Sequence, residues 1–166
     1  RRLVWNTKAR FGRLRLLNAY GSEQLPIRIA LRAEYYNGTG WALNTADTLT
    51  GTAGLVTANV AVGDTTLTTS PTAIAATGSG GQWEIRMSAP AAPGGADVVL
   101  NLGTGVSAST VCLPSWSSGP SGGSAPASTL AYLLGQWCGT NYDKAPLARI
   151  KFGSSKTPFI YLRERY

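Results

Sequence analysis

The chain of 166 residues contains no histidine. Histidine is the side chain that ordinarily titrates near neutral pH, and it is the commonest metal ligand. Its absence removes Ser-His-Asp and Cys-His nucleophilic catalysis and His-ligated metal sites together. Charge is also scarce: Asp, Glu, Lys and Arg make up 14% of the residues, against about a quarter in ordinary domains. The carboxylates are Glu23, Glu34, Asp47, Asp64, Glu84, Asp97, Asp143 and Glu164. Glycoside hydrolysis needs two of these facing each other in a cleft. Glu34 and Glu84 are the pair a sheet would bring together, but each shares an outer strand face with arginine, Arg32 and Arg86, so cross-strand ion pairing is their expected use. Asp47 and Asp64 lack the spacing of a calcium loop. No glycine-rich segment follows a strand and opens a helix, so Gly78-Ser79-Gly80-Gly81 and the run from Gly119 to Gly123 read as loops, not phosphate cradles. Neither a cofactor nor a metal is expected. No apolar run approaches the roughly 20 residues a membrane helix needs. The chain opens on Arg1, so it is expected to be a processed piece of a longer exported protein whose export signal lay upstream.

Two cysteines, Cys112 and Cys138, are present. An even count in a chain rich in Thr, Ser and Gly favours a disulfide, the alternative being two separate buried thiols. The bridge would close the Ser/Gly/Pro-rich stretch between them. Two cysteines cannot by themselves make a structural zinc site.

Apolar residues amount to 43%, with five Trp and seven Tyr, which is enough for a core in one domain of this length. Twenty glycines and nine prolines punctuate it. The clearest signal lies between Pro26 and Asn44. Ile27, Ile29, Leu31, Ala33 and Tyr35 alternate with Arg28, Ala30, Arg32, Glu34 and Tyr36, then Asn37-Gly38-Thr39-Gly40 turns the chain and Trp41-Ala42-Leu43 begins the return. That is a half-buried strand in a hairpin with a short glycine-rich loop. Phe11 to Leu16 alternates likewise, with Leu14 and Leu16 on one face and Arg13 and Arg15 on the other, and Asn18 to Ser22 reads as a break. Residues 45–81 predict two or three short strands of small side chains or a surface loop. Gln82 to Met87 and Asp97 to Leu102 predict strands, the second with Val98, Leu100 and Leu102 on one face. Residues 114–128 are loop by composition. Thr129 to Cys138 is a short helical turn, a buried strand or an irregular segment, with Leu130, Leu133, Leu134 and Trp137 at helical spacing. Leu147 to Phe152 and Phe159 to Arg163 predict a terminal hairpin.

Many short strands separated by turn signals predict an all-β fold: an antiparallel β-sandwich or Greek-key barrel with at most one or two short helical turns. Residues 1–166 form one domain. Net charge is +7, and six of the fifteen cations lie in the first fifteen residues. The bland use of such a segment is a solvated strand face. No RNP, zinc-finger or helix-turn-helix pattern accompanies it, so nucleic acid is not an expected partner. Tyr36, Trp41, Trp116 and Tyr142 either belong to the core or are exposed for stacking on sugar rings.

The segment from Arg10 to Thr48 resembles the C-terminal domain of MshQ-like proteins, exported bacterial proteins associated with the mannose-sensitive haemagglutinin type IV pilus. The resemblance is carried by Phe11 to Leu14, Asn18 to Glu23, Leu25-Pro26, and Tyr36 to Gly38 with Trp41. Near the other end it is carried by Gln136 to Gly139, Tyr142-Asp143, Pro146, Ala148-Arg149, Phe152-Gly153 and Phe159 to Glu164. Relatives often place a cysteine where this chain has Leu49, which leaves Cys112–Cys138 as the one internal pairing open here. The resemblance implies a non-catalytic domain at the outer surface of a Gram-negative cell. The expectation is a structural or adhesion domain, pilus-associated or a filament subunit. The basic arm, residues 1–17, would donate a strand to a neighbouring copy in head-to-tail self-association, with Leu3, Trp5, Phe11, Leu14 and Leu16 as subunit-interface anchors. The alternative is a carbohydrate-binding module that recognises surface glycans.

Overall fold

The computed structural model describes residues 10–47, 57–63, 66–103, 112, 121–122 and 128–153. Strand β3 (Ile27–Tyr36) runs through the middle of one sheet. Its odd residues Ile27, Ile29, Leu31 and Ala33 are buried, and its even residues Arg28, Arg32 and Tyr36 are exposed. The period of two read from the sequence is therefore the sidedness of the sheet. Asn37 closes the hairpin to β4 (Trp41–Leu43): its Oδ1 accepts hydrogen bonds from the amides of Thr39 and Gly40 and from the Thr39 hydroxyl.

On the other side of β3 lies β1 (Gly12–Leu16), antiparallel, with Gly12 opposite Tyr35 and Leu16 opposite Leu31. Beyond the reach of β4, β7 (Gln82–Met87) pairs with β3, and β6 (Ala73–Ser79) forms the far edge. The second sheet is ordered β2 (Ala19–Gly21), β10 (Leu147–Phe152), β8 (Gly94–Leu100), β5 (Val60–Gly63) and β9 (Ser121–Gly122). Leu14, Ile29, Leu31, Ile85 and Met87 of the first sheet face Val62, Val98, Leu100, Ile150 and Phe152 of the second in one core. Leu130, Leu133 and Leu134 close one end. Two sheets face to face make this an all-β sandwich, as the strand pattern predicts, and among the described residues the sheets do not join into a barrel. Helix among the described residues is limited to two 3-10 segments, Thr57–Asn59 and Ser128–Leu133. No helix there is long and apolar enough to cross a membrane.

The structure departs from the sequence reading in three places. The predicted break at Asn18 to Ser22 contains β2, which pairs in parallel with β10, with Ala19 opposite Ile150 and Gly21 opposite Phe152. The chain thus leaves the first sheet after Leu16 and enters the second. Strand β8 starts at Gly94 and is buried on both faces from Ala96 to Leu100, because Ala61, Val99 and Ala145 form a second small cluster behind the sheet. The 3-10 segment stops at Leu133, so Trp137 does not continue a helical stripe into the core. The predicted strand from Phe159 to Arg163 lies outside the described residues.

Candidate functional site

Strand alternation puts Phe11, Arg13 and Arg15 on the outer face of β1, beside Glu34 and Tyr36 of β3 and Trp41 of β4. Glu34 is only 8% exposed although it points away from the core. Arg13 reaches it from the neighbouring strand: its Nε donates to Glu34 Oε2 at 2.8 Å, and its Nη2 lies 2.8 Å from the same oxygen. Arg15 approaches Oε1 at 3.6 Å.

The Arg13 guanidinium is also covered on its faces. Its central carbon lies 3.9 Å from the Trp41 ring centroid and 4.6 Å from that of Trp137. A planar cation over two indoles, with its edge on a carboxylate, is an arrangement that lysine cannot reproduce. Trp137 arrives from a loop closed by paired backbone hydrogen bonds between Gly135 and Lys144 (3.0 and 3.1 Å). Its indole lies flat enough on Gly135 that a Cβ there would collide with the ring. The next residue, Cys138, forms a disulfide with Cys112, with Cα atoms 5.5 Å apart.

The same loop carries Tyr142. Phe11 meets Tyr142 edge-on at 4.6 Å and Trp41 at 5.8 Å, and Trp41 meets Tyr36 at 5.9 Å. Phe11, Tyr36 and Tyr142 are 50%, 47% and 44% exposed. The result is an aromatic surface whose inner members are clamped through Arg13 and whose outer members are open. On the opposite face of β3, Arg10 stacks over Tyr35 at 4.4 Å and donates to Asn44 at 3.3 Å.

The other buried carboxylate, Asp97, is 0% exposed and takes a two-pronged pair from Arg149, Nε to Oδ1 at 2.8 Å and Nη2 to Oδ2 at 2.9 Å. Glu84 pairs with Arg28 at 3.0 Å. Glu34 and Glu84 thus form cross-strand ion pairs as expected, with Arg13 and Arg28. Among the described residues no three potential ligands converge as a metal site.

The residues expected to anchor a neighbouring subunit fall in different places. Leu14 and Leu16 are buried in the chain's own core, and β1 pairs with β3 of the same chain. The apolar face of β1 is thus packed inside the domain. Phe11 belongs to the exposed aromatic surface. Leu3 and Trp5 lie outside the described residues, as does Trp116. Of the four aromatics singled out in the sequence, Tyr36, Trp41 and Tyr142 come together. Alternation put Arg13 on the outer face of its strand, but nothing in the sequence paired it with Trp137 or Trp41.

No curated protein and no solved structure matches this chain. The family model described as DUF6701, fourth domain, matches residues 10–165. That span contains both sheets, the disulfide and the aromatic surface, and the chain belongs to the fourth-domain family of DUF6701.

Proposed function

We propose that this chain is a non-catalytic binding domain of an exported bacterial surface protein, and that Phe11, Tyr36, Trp41 and Tyr142 form its contact surface for the sugar rings of a glycan. The observation that carries this reading is the aromatic cluster itself: large apolar rings left open on a sheet face, yet held in fixed orientation by Arg13 and by a loop tied at Gly135–Lys144. Preorganised rings lose little conformational entropy when they bind. The buried carboxylates support a binding role over acid–base chemistry, since Glu34 and Asp97 are each held by arginine. The resemblance of Phe11 to Leu14 and Gln136 to Gly139 to MshQ-like C-terminal domains supports an adhesive role at a pilus-associated outer surface.

The test is a glycan array probed with the wild-type chain and with the Phe11→Ala/Tyr142→Ala variant. Wild type should retain a subset of glycans, and the variant should lose at least about tenfold in affinity while unfolding at a similar temperature. An array on which wild type retains nothing would sink the reading.

A further inference from the structure

The outer face of the first sheet continues from the aromatic cluster along β3 toward Arg28, eight residues from Tyr36, or about 26 Å at the usual strand rise. It carries five arginines, Arg13, Arg15, Arg28, Arg32 and Arg86, against the two carboxylates Glu34 and Glu84. Their register is unusual. Arg15 stands directly opposite Arg32, and Arg28 directly opposite Arg86. Like charges directly opposite across strands are destabilising. Glu34 with Arg13 shows that the same sheet can place a carboxylate opposite an arginine. Neither Arg32 nor Arg86 has a carboxylate within ion-pair distance among the described residues. Beside Arg32 lies a depression of about 440 Å³, lined also by Ala30, Thr77, Gln82 and Glu84.

The geometry points to an acidic polysaccharide as the ligand of this face, with sugar rings on the Phe11–Trp41 end and ring carboxylates received by the Arg15–Arg32 and Arg28–Arg86 pairs. A carboxylate placed between two guanidinium groups turns their repulsion into attraction, and guanidinium geometry matches carboxylate oxygens. The Cys112–Cys138 disulfide favours an extracellular polymer of this kind over nucleic acid, because such bonds persist in oxidising compartments. The inference rests on the binding role proposed above and specifies the charge of the ligand.

Binding of the full chain to polygalacturonate, to neutral galactan and to oligo-dT is measured by affinity electrophoresis and calorimetry. Polygalacturonate should bind at least about tenfold tighter than either competitor, and its affinity should fall as salt rises from about 50 to 300 mM. The Arg32→Ser/Arg86→Ser variant should lose about tenfold or more for polygalacturonate. Its thermal midpoint should match or exceed that of wild type, because repulsion has been removed. Galactan bound as tightly as polygalacturonate overturns this inference but leaves the glycan-binding role standing, and silence on both polysaccharides counts against both. Equal or tighter binding of oligo-dT, an unchanged affinity in the double variant, or a lowered midpoint in that variant also overturns it.

Discussion

Arg13 takes part in more of this surface than any residue type would announce. Its charge satisfies Glu34, and its guanidinium lies over the rings of Trp41 and Trp137. Removing it leaves a carboxylate that is nearly out of water with, among the described residues, only Arg15 at 3.6 Å. Breaking one side of such a pair costs several kcal/mol, and the loss of two cation–π contacts adds to it. Arg13→Ala is therefore expected to lower stability by about 3 kcal/mol. Arg13→Lys keeps the charge but loses the flat stacking faces, for a loss of about 1–2 kcal/mol. Urea unfolding checks both: the midpoint should shift in that order with an unchanged slope. Equal losses for Ala and Lys would mean that the planar geometry contributes nothing.

At the scale of elements, the hairpin between β6 and β7 ties the middle of the first sheet to its aromatic end. Gly80 and Gly81 have φ of 60° and 76° and form its two-residue turn. Left-handed φ at both central residues is the turn type whose twist suits a tight hairpin. The tip docks on the segment after β4 and on β3: the Gly81 amide donates to the Asp47 carbonyl at 2.9 Å, and the Gly81 carbonyl accepts from the Ala33 amide at 2.8 Å. A Cβ on Gly81 would run into the Asn44 carbonyl oxygen, whereas the nearest atom to one on Gly80 is 3.6 Å away. Gly81→Ala should thus cost about 2–3 kcal/mol through strain and collision together. Gly80→Asn, at a position asparagine tolerates, should stay within about 0.5 kcal/mol of wild type. Thermal unfolding of the two variants separates them, and similar losses would show that docking on Asn44 does not matter.

For the whole molecule, the Cys112–Cys138 bond spans a sequence separation of 26. On the loop-entropy model a closure of that length stabilises by about 3.5 kcal/mol. Reduction, or the Cys112→Ala/Cys138→Ala variant, should therefore lower the melting temperature by about 10 °C for a chain of this size. Trp137 adjoins Cys138, so the same change should redden and broaden tryptophan emission before global unfolding. A melting temperature unmoved by reductant would show that the hydrogen bonds between Gly135 and Lys144 hold the loop unaided.

The alternation in Gly12–Leu16, Ile27–Tyr36, Gln82–Met87 and Leu147–Phe152 was legible without coordinates, and with it the all-β class, the β3–β4 hairpin and most of the core. A period of two is a property of the strand itself and is written in consecutive residues. The three-residue strand β2 was not legible, because its partner β10 is more than a hundred positions away and three residues cannot show a period. Nor was the burial of Asp97: whether the outward side of a strand stays wet depends on what packs behind the sheet, here Ala61, Ala145 and the reach of Arg149. The aromatic surface divides the same way. Alternation along β3 set Tyr36 on the outer face, but consecutive residues assigned no face to Phe11 or Trp41. Their assembly with Trp137 and Tyr142 around Arg13 was decided only in three dimensions, where a loop from the far end of the chain folds back over the first strand.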